Sequence, residues 1–174
     1  MNSSTKWIGM IVIAGMAMPA WCAEDTATKV LSDLHHTNQM EIQMGMMAEQ
    51  KGQSPDVKSF GSKLVKDHQD ADNEVVSLAK KDDITLETPA QEGMIAKHEA
   101  RSADKGMAEL SSKTGADFDK AFAKTMVDDH KKDIAKLEKA QRDLHRADVR
   151  DLVAKLLPTL REHLSIAQRI EKNG

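Results

Sequence analysis

The chain has one cysteine, no tyrosine, two tryptophans and three phenylalanines in 174 residues. A single cysteine excludes a disulfide framework and any Cys-x-x-Cys redox or zinc motif. With so few aromatics, neither an all-β sandwich nor a surface that stacks nucleic-acid bases is expected. Charge of one sign is also lacking: 25 basic and 28 acidic side chains leave a net charge of −3, which gives no electrostatic case for binding nucleic acid. No P-loop, Gly-rich nucleotide fingerprint or Ser-His-Asp order is present, and no catalytic residue is singled out. What remains is rich in Ala, Leu, Lys, Glu, Asp and Met, a helix-forming composition.

The first 23 residues read as a secretory signal peptide. Lys6 supplies the positive start, and Trp7 to Met18 form an apolar stretch too short for a bilayer span, which needs ~20 residues. Small residues follow at Ala20 to Ala23, with cleavage expected near 22/23. Pro19-Ala20-Trp21 before Cys22 is a poor lipobox, so signal peptidase processing is expected rather than lipidation. Lys6 is the leader's one charged side chain, so its removal leaves a net charge of −4 and takes both tryptophans and the cysteine with it. The mature part, 24–174, is expected to be one exported domain with no transmembrane anchor, most simply periplasmic.

Punctuation marks the helices. The first runs from about Asp25 to Lys51 and stops at Gly52. Ser54-Pro55 places an N-cap before a proline at the first helical position, opening a helix to about Lys81. Thr88-Pro89-Ala90-Gln91 has capping-box spacing and opens a shorter segment to about Ser112. The third long helix spans about Ala116 to Leu144. A fourth, with Asp148 as the expected cap, runs to about Lys172. The two short links predict antiparallel hairpins, and the connection of about 30 residues between them is long enough to return along the bundle. The fold expected is therefore all-α: a ferritin-like up-down four-helix bundle with a long, partly helical crossover between the second and third long helices. A five-helix up-down bundle is the competitor.

Chemistry concentrates in histidines. Phe60 to His68 and Phe122 to His130 share Phe, Val, Asp and His at equal offsets, and Leu160-Arg161-Glu162-His163 is a fainter echo. His68 falls within the stripe of Val57, Leu64, Ala71, Val75 and Leu78, and His163 among Leu156, Leu160, Ala167 and Ile170. His130 sits toward one edge of its apolar face, with Asp129 central. All three lie near helix mid-height, where Glu41 shares a face with Val30, Leu34, Asn38 and Gly45. Three imidazoles and the Glu41 carboxylate are candidate ligands for a single zinc, iron or manganese ion. Asp67, Asp129 and Glu162 are candidates to orient the rings. The alternative is a polar layer that fixes helix register without metal. Pro158 should kink the last helix, either aiming His163 or letting the helix wrap the bundle.

On the first helix His36, Met40, Met44 and Met47 share a second face. Thioethers with imidazole suit copper(I). The competing expectation is that the crossover, with Met94, Ile95 and Met107, packs over this stripe, or that the stripe meets a partner.

Val65 to His68, Gly115 to Asp119, Asp128 to His130, and Leu157-Pro158-Thr159-Leu160-Arg161-Glu162-His163-Leu164 together resemble the bacterial domain of unknown function 4142 family, over about Asp25 to Ile170. The resemblance implies an exported, ferritin-like protein; members are often described as outer-membrane proteins, so association with that membrane is a further expectation. It implies no particular reaction. Ferritin-like di-iron enzymes carry Glu-x-x-His on two helices. Here Val65, Val127 and Leu160 stand three residues before the histidines, so a di-iron oxidase is not expected. Two functions stay open: a metal-binding protein with an envelope or stress role, and a non-enzymatic envelope interaction module, with an envelope protein or a second copy as partner.

Overall fold

The computed structural model describes residues 20–87 and 94–174, with side chains from Thr26 onward and, in the crossover helix, at His98, Arg101 and from Lys105. Residues 1–19 of the expected leader, the expected helix start at Thr88 to Gln91, and the side chains of Cys22, Met94 and Ile95 lie outside the described residues. Among the described residues there are five helices and no strand: α1 (Ala20–Lys51), α2 (Pro55–Lys81), α3 (Met94–Ser111), α4 (Gly115–Asp143) and α5 (Ala147–Asn173). Among the described residues no helix is long and apolar enough to cross a membrane.

Local chemistry sets the boundaries. The Ser54 hydroxyl accepts the Val57 amide at 3.1 Å and Pro55 follows as the first helical residue, so α2 starts as its sequence dictates. The α2 end is a Schellman turn: the Ile84 amide donates to Ala79 O at 2.9 Å, with Asp83 at φ 53° in the left-handed position. Asp148 is not the cap of α5. The helix begins at Ala147, and the Asp148 carboxylate instead takes the Val149 amide and the Arg146 guanidinium, which also grips Asp82. Pro158 lies exposed on α5, so its missing amide hydrogen removes a helical bond on the solvent face.

α1 and α2 approach backbone to backbone. A methyl group added to Gly45 would lie 2.8 Å from Gly61 O, and one added to Gly61 would lie 2.7 Å from Gly45 O. Only glycine permits this spacing at both positions.

The interior has three levels. One apolar cluster joins Leu31 and Leu34 of α1, Val75 of α2, Leu137 of α4 and Val149, Val153 and Leu157 of α5. A second joins Met44 and Ala48 of α1, Phe60 and Leu64 of α2, Phe118, Phe122 and Met126 of α4, and Ala167 and Ile170 of α5. Apart from Ser32, which lies within the first cluster, the buried polar residues of these helices fall between the two clusters: Asn38 and Glu41, His68 and Asp72, His130, and His163. The order in which each helix meets the clusters makes α1 antiparallel to α2, α4 antiparallel to α5, and α2 parallel to α4. α3 joins α2 to α4 and anchors at its end, where Leu110 is buried in the second cluster and Met107 packs beside it.

Candidate metal centre

Apolar periodicity carries the three histidines to one level. Leu64 and Val75 bury one face of α2 and take His68 with them, 3% exposed. His163 of α5 and His130 of α4 are fully buried. His130 is therefore central on its helix rather than at the edge, and Asp129 takes the flank, half-buried. The ring centroids are 5.2 Å (His130–His163), 5.3 Å (His68–His163) and 6.0 Å (His68–His130) apart. One ring nitrogen from each lies within 4.8 Å of those from the others.

The outward hydrogen bonds assign the protons. His130 Nδ1–H donates to Met126 O at 3.0 Å, one helical turn back. His163 Nε2–H donates to Asp67 Oδ2 at 2.9 Å, and His68 Nδ1–H donates to Asn38 Oδ1 at 2.9 Å. A neutral imidazole has one N–H and one lone pair. The nitrogens left with lone pairs are therefore His68 Nε2, His130 Nε2 and His163 Nδ1. The last two lie 3.2 Å apart. Among the described residues, His68 Nε2 is buried and has no hydrogen-bond partner.

Burial keeps the rings neutral. Loss of hydration, then the proximity of the other histidines, pushes His68 down to about 3. Burial, then His163, pushes His130 down to about 3 despite its bond to Met126. His163 is lowered too, by burial, against the opposing pull of Asp67. Asp67 itself is held below the usual carboxylate range: the His163 and Lys63 hydrogen bonds outweigh its partial burial.

The other expected residues are placed as follows. Glu41 is buried on α1, with Oε1 3.8 Å from His130 Nδ1. It thus faces the protonated nitrogen of His130, and burial and the charges of Asp133 and Asp129 raise its pKa strongly. Asp67 holds His163 as described. Glu162 is exposed and pairs with Lys63 at 3.3 Å. Burial raises Asp129. Sequence reasoning did not assign the partners of the other two rings. Asn38 was visible as an amide on a core face of α1. The Met126 carbonyl carries no sequence signal, because any residue four before a histidine in a helix offers one. A neighbouring trio was also missed: buried Asp72 accepts His35 Nδ1–H and Gln39 Nε2–H, each at 2.7 Å.

On the second face of α1, Met44 is buried in the Phe60 and Phe122 cluster, and Met40, Met47 and Met107 pack against it half-buried. His36 is half-buried with its Nε2 enclosed and without a hydrogen-bond partner.

A cleft of about 300 Å³ leads from solvent to this level, bordered by α1, α2, α4 and α5, with His68 and His163 in its wall. Three buried neutral imidazoles, each held by an outward hydrogen bond and each with its free lone pair within 4.8 Å of the others, are a group that could hold one borderline transition metal.

No curated protein and no solved structure matches the chain. The family described as a domain of unknown function (DUF4142) matches residues 15–170, and the chain belongs to that family.

Proposed function

We propose that this protein is an exported, ferritin-like helical bundle that holds one transition-metal ion through His68, His130 and His163, in a binding role in the cell envelope. The observation that carries the reading is the buried, unpartnered Nε2 of His68 beside two further lone-pair nitrogens. A register-fixing polar layer would be expected to close its hydrogen bonds, because a buried polar atom without a partner costs about 1–3 kcal/mol. A metal ion removes that cost by taking all three lone pairs.

The donors favour zinc over manganese. They are all nitrogen, Glu41 lies on the far nitrogen of His130, and manganese prefers oxygen. Tetrahedral zinc with bonds of about 2.05 Å spaces its ligand atoms about 3.3 Å apart. The His130–His163 pair stands at 3.2 Å, already near that edge. His68 completes the tripod by turning inward. The ferritin-like assignment rests on two short-linked hairpins joined by a long crossover, and export on the leader at residues 1–23.

The test is elemental analysis of untagged protein purified from the periplasm, beside a His68→Ala/His130→Ala/His163→Ala variant whose helicity is checked by circular dichroism. Near-stoichiometric metal in the wild type and none in the folded variant is expected. No metal in the wild type, even after reconstitution with zinc, iron, manganese or copper(I), would overturn the reading and leave the envelope interaction module. Metal retained by the variant would move the site to His36, Met40, Met44 and Met47.

A further inference from the structure

We propose that the cleft is the entry route by which a divalent cation reaches the three histidines in the folded protein, and that Lys63 is the gate it displaces. This rests on the metal-binding reading above and adds that the centre is exchangeable rather than sealed.

Charge is the first argument. The cleft is bordered by Asp33, Asp67, Asp70, Glu74, Asp133 and Glu162, against Lys63, Lys136 and Lys155. With neutral histidines that border carries a net charge of −3, although the lysines are individually paired. A concave surface of one sign with low-dielectric walls concentrates counter-ions and raises their association rate. The second argument is independent of charge. His68 is 3% exposed, lines this cleft, and has an enclosed Nε2 with no partner. The acidic mouth therefore leads to an unused donor, not to a solvated surface.

The third argument is the position of Lys63. Its ammonium lies 3.0 Å from Asp67 and 3.3 Å from Glu162, tying α2 to α5 at the mouth. The same Asp67 oxygen, Oδ2, also accepts the hydrogen bond of His163 Nε2–H. The Asp67 and Glu162 carboxylates thus hold a cation one residue's breadth from the imidazoles. An incoming dication competes with Lys63 for this pair, and the flexible, partly exposed lysine swings into water. The ion then passes to the nitrogens, leaving the carboxylates to rebind the ammonium.

The experiment mixes metal-free protein rapidly with zinc ion and follows uptake with a competing fluorescent indicator, in wild type, Glu162→Gln and Lys63→Met. Glu162 is exposed and Lys63 half-buried at the mouth, so the helicity of each variant is first checked by circular dichroism. The expected result is one zinc per chain in all three, loading about threefold slower in Glu162→Gln and about threefold faster in Lys63→Met, with wild-type loading slowed by added salt. One zinc per chain with the same salt-insensitive rate in all three would overturn the entry route and leave the metal centre standing. No uptake by wild type, or undiminished uptake by His68→Ala/His130→Ala/His163→Ala, would overturn the centre and the route together.

Discussion

His130 Nε2 and His163 Nδ1 face each other at 3.2 Å, and the outer bonds of both rings leave a lone pair on each. Two lone pairs at this distance repel unless a cation lies between them. A proton could serve, but burial lowers the affinity of both rings for it. A metal ion held as proposed above would serve better, because it would also engage His68.

Metal should therefore stabilise the fold. Zinc at a hundred times its dissociation constant is expected to add about 2.7 kcal/mol. For a chain of this length that raises Tm by roughly 5–10 °C in a thermal melt followed by circular dichroism. The increment should vanish in His163→Ala. An equal increment in that variant would show that zinc binds elsewhere.

Asp67 tests how the rings are held. Asp67→Asn keeps the shape of the side chain but weakens the acceptor that fixes His163 Nε2–H. Zinc affinity should fall about 10–100-fold while the metal-free protein keeps its helicity. Competitive titration against a chelator measures this. Because Lys63 also leans on Asp67, Lys63→Met is the control, and its equilibrium affinity should change far less.

Acid should unfold the metal-free protein through the same rings. His68 and His130 are held at about 3 in the fold, below the ordinary histidine value near 6.5. Between those values the unfolded chain binds more protons, so stability rises with pH and is fully present above about 6.5. It falls as pH drops from about 6.5 toward 3. Glu41 acts with the opposite sign. Its raised pKa means the fold prefers the protonated acid, so stability is lost as pH rises above the unfolded carboxyl value. Glu41→Gln should remove that loss and stabilise the metal-free protein at pH 7 by about 1 kcal/mol or more. Urea melts of both proteins across pH 4–8 read the two limbs separately. Equal stability of the two proteins at every pH would refute the role given to Glu41.

The helices and the level of the histidines were readable because they depend on local chemistry: Ser54-Pro55 for a start, and the Leu64–His68–Val75 spacing for burial. Ring partners were harder. Asp67 precedes His68 in sequence yet serves His163, 96 residues away, because adjacent helical side chains point to different flanks. Asp129 and Glu162 precede their histidines in the same way, but nothing brings them to a ring. Helical periodicity put Glu41 at the right height without telling which nitrogen of His130 it would meet. The Met40–Met44–Met47 stripe kept two readings, since thioethers both ligate and fill space. The expected cap Asp148 was displaced because Arg146 claims its carboxylate.

The close backbone approach of α1 and α2 offers a test that does not involve metal. At Gly45 an added methyl would meet Gly61 O at 2.8 Å and Val65 Cγ2 at 2.9 Å. The side chain could turn, but the carbonyl belongs to α2 and moves only with its helix. Alanine has the higher helix propensity, by about 1 kcal/mol, so an isolated helix would gain from the change. The bundle should lose instead. Separating α1 from α2 loosens the packing of Leu64 and displaces Asn38 from His68, and overpacking of this kind costs about 1–3 kcal/mol. Gly106, with open space where its methyl would go, is the matched control and should gain stability as alanine. Denaturant midpoints for Gly45→Ala and Gly106→Ala should therefore shift in opposite directions. A Gly45→Ala protein as stable as wild type would mean that the two helices do not sit this close.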